Sequence, residues 1–439
     1  MGGKQILSKL KNIIKKCVPR CIRSIKTEFN FKKEIDTYRN SLKKIDMKKR
    51  KDKITVVFII QYPETWNSLR TVYENLKNRN LNVYIFCIPK PLLNSEKEYK
   101  INSKGCNEAF DFFESQNIDC INALDRNGEW IDLKKYNPDY VFYSRPYNIQ
   151  YPLQYKSKTV CKYAKVCLIP YAFNLAKGTT FDIVYNDDFI TSTYMTFATN
   201  KESLQKIKSK FAWQNFIKSN NFEFLGFPRF DLLTACNIDN THSYTVAWMP
   251  RWEFRANGNQ QLSHFLDYYN SFIKFAKKNK EISFIFRPHP LMYSTAIAEK
   301  VLTEAEVKEI KERMNSIPNL IIDEEKDYIP TLLKADVLLA DYTSLLAEYF
   351  VTGKPIIFCD NGKKFFNKVG KMLDKTFYHA RNWNNIEQLI LMLKKGQDIK
   401  FKNRKKLINI LMPQNAGKIG SQITDFILKD YEKENKNGK

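Results

Sequence analysis

KITVVFIIQYPETWNSLRTVYENLKNRNLNVYIFCIP, residues 53–89, decides the fold class. KITVVFII is an apolar, β-branched run and reads as a buried strand. ETWNSLRTVYENLKNRN spaces its apolar residues at helical intervals and stops at Asn80. LNVYIFCIP is a second strand. A β-α-β unit implies a parallel sheet.

The same reading extends outward. PDYVFYSRPYN (138–148) and AKVCLIPYAFN (164–174) are further strands, each running into a polar or aromatic loop, and FEFLGFPRFD (222–231) is a strand and turn closing this set. A second alternating set begins near Ser243. SYTVAWMPRW, EISFIFRPHP, NLIIDE, DVLLADYTS and KPIIFCD are strands; LSHFLDYYNSFIKFAKKN, YIPTLLKA and SLLAEYFVTG are helices. Two successive sets predict an α/β chain with two Rossmann-like domains facing across a cleft. The expected limits are an extension over 1–50, domains over 51–235 and 236–428, and a polar tail over 429–439.

The chain has 439 residues, 43% hydrophobic and 14% aromatic, enough for real cores and against global disorder. Net charge is +25, and residues 1–50 carry 16 Lys/Arg against four Asp/Glu. QILSKLKNIIKKCV (5–18) places Ile6, Leu7, Leu10, Ile13, Ile14 and Cys17 on one helical face and lysines on the rest. That pattern fits an anionic membrane surface, where each nearby cation adds roughly 1 kcal/mol. Phe31, Ile35, Tyr38, Leu42 and Ile45 follow as a short heptad stripe, read as a helix lying on its own domain. Nucleic-acid binding is the other class that the charge allows, but the basic cluster is interleaved with aliphatic residues and no binding module is present. No apolar run reaches membrane-spanning length, no secretory signal is present, and nine scattered cysteines without C-x-x-C fit a reducing cytoplasm.

Ligands in open parallel sheets bind at the C-terminal strand ends. Three unusual segments lie there: Arg251-Trp252, Arg287-Pro288-His289-Pro290 and Asp341-Tyr342-Thr343-Ser344. Arg287 offers a fork of donors suited to phosphate. His289, bracketed by prolines, can donate to a phosphate oxygen or protonate as charge develops. The hydroxyls of Thr343 and Ser344 sit at a helix start, where free N–H groups favour anions. Each segment alone also has a plain structural reading: a loop histidine, an N-cap, a surface ion pair. D-x-D, G-x-G-x-x-G and the P-loop pattern are all missing, and the Cys/His spacing offers no zinc site, so no metal and no other cofactor is expected. His242, His264 and His379 are taken as structural or surface residues.

GFPRFD, RPHP, DYTSLLAEYFVTGKPIIF and the closing QNAGKIGSQITDFI together resemble the CDP-glycerol glycerophosphotransferase family of teichoic-acid and capsule polymerases. The resemblance covers most of 222–428. It implies a GT-B fold with the donor in the C-terminal domain and the acceptor approaching from the N-terminal one. It also implies a cytoplasmic, peripheral membrane enzyme that transfers a polyol phosphate from a CDP-linked donor to a membrane-linked glycan or polymer hydroxyl, releasing CMP. By position it assigns His289, Thr343 and Ser344 to donor phosphate and Glu348 to a donor hydroxyl, with Arg251 near a family arginine. Asp341 and Arg287 complete the expected cradle.

The family's N-terminal His-Gly is absent. LIPYAFNLAKG stands at that strand end, with Tyr171 and Asn174 in the loop. An ordinary tyrosine, with a pKa of about 10, is a poor base. Glu64 after the first strand, the leaving phosphate, or a different acceptor or donor are the openings that remain. A GT-B glycosyltransferase using a CMP-sugar would need the same cradle, and a catalytically inert scaffold keeping the fold is the reading of another class.

Overall fold

The structure is a computed structural model that describes residues 29–437 except 31, 47–52, 94–98, 102–105, 179, 213, 215–219, 235–242, 255–261 and 412–416. The basic helix expected over 5–18 lies outside the described residues, and so does His242. Among the described residues no helix is long and apolar enough to cross a membrane.

The chain divides into two compact units: 1–171 with 181–227 and 420–439, and 172–180 with 228–419. Helix α1 (Lys32–Asp46) opens the described part of the first, and its stripe is buried at Ile35, Tyr38 and Ile45. The strands of this unit are β1 (Thr55–Ile60), β2 (Asn82–Cys87), β3 (Pro91–Leu93), β4 (Tyr99–Ile101), β5 (Ile121–Asn122), β6 (Tyr140–Tyr143), β7 (Lys165–Leu168), β8 (Met195–Phe197) and β9 (Asn221–Glu223). Seven of them form one sheet in the order β5-β2-β1-β6-β7-β8-β9, while β3 and β4 pair as an antiparallel ribbon. The seven are parallel throughout, and β1, β6 and β7 are buried along their whole length, which is why their sequences run apolar without alternation. Helix α2 (Arg70–Lys77) buries Val72, Tyr73 and Leu76. Phe58 of β1 stacks on Phe142 at 5.1 Å between ring centroids and takes Tyr73 edge-on.

The second unit carries β10 (Thr245–Met249), β11 (Ser283–Phe286), β12 (Leu320–Ile322), β13 (Val337–Ala340), β14 (Ile356–Cys359) and β15 (Tyr378–Ala380), parallel and ordered β12-β11-β10-β13-β14-β15. Its helices include α3 (Arg229–Thr234), α4 (Phe265–Lys278) and α5 (Leu345–Phe350). Trp248 of β10 is fully buried among Phe265, Phe272 and Phe286. That aromatic layer fastens α4 to the sheet beside the strand ends that form the site.

The units do not follow the two expected halves of the chain, for two local reasons. Segment 172–180 belongs to the second unit because Ala176 bridges Phe366, Lys177 N–H donates to the Phe365 carbonyl and Asn367 donates to that of Asn174. The last helix, Ile419–Asn437, belongs from Gly420 onward to the first. There Asp430 accepts from Tyr140 and Tyr194 at 2.7 Å each and from the buried Lys165 at 3.4 Å. The residues expected as a polar tail therefore continue a helix whose Asp430 is a packing residue.

Candidate active site

β10 lies between β11 and β13, so the three segments singled out in the sequence leave adjacent strand ends. The backbone extends the sheet by one rung there: Arg287 N–H donates to the Trp248 carbonyl at 2.9 Å.

Asp341 organises the site. It is almost wholly buried. Its Oδ2 accepts from Arg251 N–H at 2.8 Å and His264 N–H at 3.3 Å, and its Oδ1 meets His264 Nδ1 at 2.6 Å. One carboxylate thus ties the loop after β10 and the start of α4 to the end of β13. A carboxylate so deeply committed positions its neighbours rather than contacting a ligand. Arg251 Nη1 donates to the Tyr342 carbonyl at 2.8 Å, its guanidinium lies over the Tyr342 ring, and Nε and Nη2 reach the Glu253 carboxylate.

His264 is therefore no isolated histidine. Burial works against its charged form, yet the hydrogen bond and charge of Asp341 raise its pKa above the ordinary value. Cys359 completes a group whose potential ligand atoms lie within 4.8 Å of one another. Burial pushes that thiol well up, and the short His264–Asp341 approach is a hydrogen bond. His379 is paired too, at 3.1 Å to both Asp360 and Asp374, beside a cavity of about 400 Å³ that includes Lys363, Lys371 and Arg381.

His289 is exposed. Its Nδ1 accepts from Leu291 N–H at 3.1 Å, and its ring lies 5.9 Å from that of Trp252. Partial desolvation, then the Arg251 charge, lower its pKa to about 4. At neutral pH the imidazole is uncharged, and with Nδ1 accepting, Nε2 carries the proton and is the free donor. The turn that the prolines impose thus leaves one N–H to present to an anion.

Two expected residues are engaged elsewhere. Arg287 donates through Nη1 to Asp323 and through Nη2 to the Glu325 carbonyl, each at 2.5 Å, so its guanidinium clamps the loop after β12. Glu348 is completely buried: Oε1 takes Arg229 Nη1 at 3.0 Å, and Oε2 takes the Tyr328 hydroxyl at 2.5 Å. Buried and paired, it has no oxygen to offer a donor hydroxyl. It locks GFPRFD to the helix that follows Asp341–Ser344.

Ser344 occupies the cap position of α5 without a side-chain capping bond, and the Thr343 hydroxyl makes only a 3.4 Å contact to Leu345 N–H. Both are half-buried. Their hydroxyls are not consumed by capping. The acceptor-side residues divide between the units. Glu64 is half-buried in the turn after β1, and the Tyr171 hydroxyl lies 3.3 Å from that of Tyr147, both within the first unit. Asn174, in the second, closes its own turn by accepting from Ala176 N–H at 2.8 Å.

Sequence reasoning missed His264, Glu253 and Tyr328. The placement of His264 at the start of the helix after the β10 loop was the available signal for the first.

A family model described as CDP-glycerol:poly(glycerophosphate) glycerophosphotransferase matches residues 183–429, more than half of the chain. No curated protein matches it. Among solved structures, a histidine-to-asparagine variant of the wall teichoic acid polymerase TagF superposes with a TM-score of 0.55 at 15% identity, covering 95% of this chain and 98% of that one. A putative UDP-N-acetylglucosamine 2-epimerase from Listeria monocytogenes gives 0.53 at 12%, covering 87% and 97%. The UDP-GlcNAc 2-epimerase from Neisseria meningitidis bound to UDP-GlcNAc gives 0.51 at 15%, covering 86% and 100%. At these identities the likeness speaks for the fold, which is GT-B. The family match carries the further step: the chain belongs to the CDP-glycerol:poly(glycerophosphate) glycerophosphotransferase family.

Proposed function

We propose that the protein transfers a polyol phosphate, such as glycerol phosphate, from a CDP-linked donor to a hydroxyl of a membrane-linked, teichoic-acid-like or capsular polymer. The acceptor oxygen bonds to the polyol-bearing phosphorus. The bond from that phosphorus to the bridging oxygen breaks, and CMP leaves with its electron pair; one proton is released. A TagF structure soaked with CDPG supports a donor of this kind.

The observation that carries the reading is the uncharged His289, its Nε2–H free, at the strand end beside Arg251 and inside the family-matched segment. Such a donor stabilises charge on the departing phosphate without carrying its own cation into the site. Thr343 and Ser344 supply hydroxyls to the same group, while Arg251, bonded to Glu253 and to the Tyr342 carbonyl, holds the loop beside them in place. The basic 5–18 segment supports work at the inner face of the membrane.

Incubation with CDP-glycerol, CDP-ribitol, a CMP-sugar or UDP-GlcNAc, with membranes as acceptor, tests the reading. CMP release from a CDP-polyol is expected. CMP release from the CMP-sugar alone replaces the polyol donor with a sugar donor, and turnover of UDP-GlcNAc alone removes the reading.

A further inference from the structure

In the first sheet the strand order switches direction between β1 and β6, the place where parallel sheets bind ligands. Tyr62 leaves β1 there and Arg145 leaves β6. The Arg145 guanidinium lies 3.9 Å from the ring centre of Tyr62, 5.3 Å from that of Tyr147 and 5.4 Å from that of Tyr171. All four residues are partly open to solvent. Nη2 donates to Gln150 Oε1, and Nε is buried with no hydrogen-bond partner. No carboxylate pairs with Arg145 among the described residues, whereas Lys90, Lys165 and Lys210 of the same unit each have one. Gln61, buried beside Tyr62, also keeps Oε1 without a partner.

A half-buried guanidinium that lacks a counter-charge is an unfinished arrangement. Stacking on tyrosine offsets part of its desolvation but does not neutralise it. The fork suits a phosphate, and the aromatic walls suit the carbon face of a polyol or sugar.

We propose that Arg145, walled by Tyr62, Tyr147 and Tyr171, forms an anion site of the first unit that takes the phosphate at the polyol-phosphate or sugar-phosphate end of the acceptor. The proposal rests on the transfer reading above for the identity of its ligand. It makes Arg145 a specificity residue for a phosphate-bearing acceptor and separates acceptor recognition from the His289 site.

Glycerol 3-phosphate serves as the probe, titrated calorimetrically into the full chain, its R145Q, R145K and H289A variants. Binding at least tenfold weaker in R145Q, intermediate in R145K and retained in H289A is expected. In the wild type, glycerol 3-phosphate should protect Arg145 from phenylglyoxal, read by peptide mass spectrometry, which decides the matter even if R145Q fails to fold. Equal affinity in folded R145Q and wild type, loss in H289A instead, or absence of protection overturns the proposal. CDP-glycerol titrated in parallel keeps the two readings apart. Failure of CDP-glycerol to bind, with glycerol 3-phosphate still held at Arg145, counts against the transfer reading alone; the reverse removes the anion site alone.

Discussion

Glu348→Gln separates a buried strut from a substrate contact. The Glu348 side chain is fully enclosed and that of Arg229 is 5% exposed, with 3.0 Å between Oε1 and Nη1. Both carboxylate oxygens accept, one from Arg229 and one from Tyr328. A glutamine keeps one acceptor, but its NH2 must face the other donor, and the Arg229 charge loses the Glu348 carboxylate. Removing one member of a buried pair costs about 3–5 kcal/mol. At 1.4 kcal/mol per decade this is a fall of about two to three and a half orders of magnitude in amide protection. Hydrogen exchange of the β13 and β14 amides, followed by mass spectrometry, reads that fall within the second unit. R229M should cost a comparable amount. The double variant R229M/E348Q should recover part of it, because the second change removes the unpaired charge left by the first. A loss below about 1 kcal/mol in E348Q, combined with weakened donor binding, would refute the argument and return Glu348 to the donor site.

Other consequences follow from the same contacts. His289→Ala should abolish transfer while leaving the hydrogen-exchange profile of the second unit unchanged; turnover at the wild-type rate removes His289 from the mechanism. The His289 imidazole, followed by NMR, should titrate near pH 4 in the free protein and higher with a diphosphate bound, since an anion opposes the Arg251 charge. The raised pKa of His264 gives a contribution to stability that is full below its unfolded value and fades as pH rises through the folded one. In D341N burial is opposed only by the charges of Asp267 and Asp360, so the contribution should shrink, and the pH–stability curve between about pH 5 and 8 should flatten. Deleting residues 1–26 should move the protein from the membrane to the soluble fraction; unchanged partitioning contradicts the docking role of that segment.

The parallel sheets were legible because fully buried strands leave unbroken apolar runs, as in TVVFII of β1 and TVAWM of β10. The strand-end segments were legible because Arg, His and Pro break those runs abruptly at 251 and 287–290. Partnerships were not. Arg229 meets Glu348, and His264 meets Asp341, across 119 and 77 residues of chain. Which side chain occupies Arg287 or Glu348 depends on how the loops after β12 and β13 fold back, and local pattern carries no trace of it. Thus both residues were expected at the ligand and are instead committed to Asp323 and to Arg229 with Tyr328. The passage of 172–180 into the second unit escaped notice for the same reason: its bonds to 365–367 are two backbone contacts and one from the Asn367 side chain to the Asn174 carbonyl, made across nearly 200 residues of chain. Arg145 was visible within SRPYN, but its missing counter-charge is a property of three dimensions only.

The most direct test of the central claim is the His289 Nε2–H resonance during titration with CDP-glycerol. A saturable shift of that proton at one equivalent, with the pKa of His289 rising from about 4 and CMP then appearing in the presence of acceptor, is the predicted result. A His289 resonance that does not move while CDP-glycerol binds and turns over would contradict it.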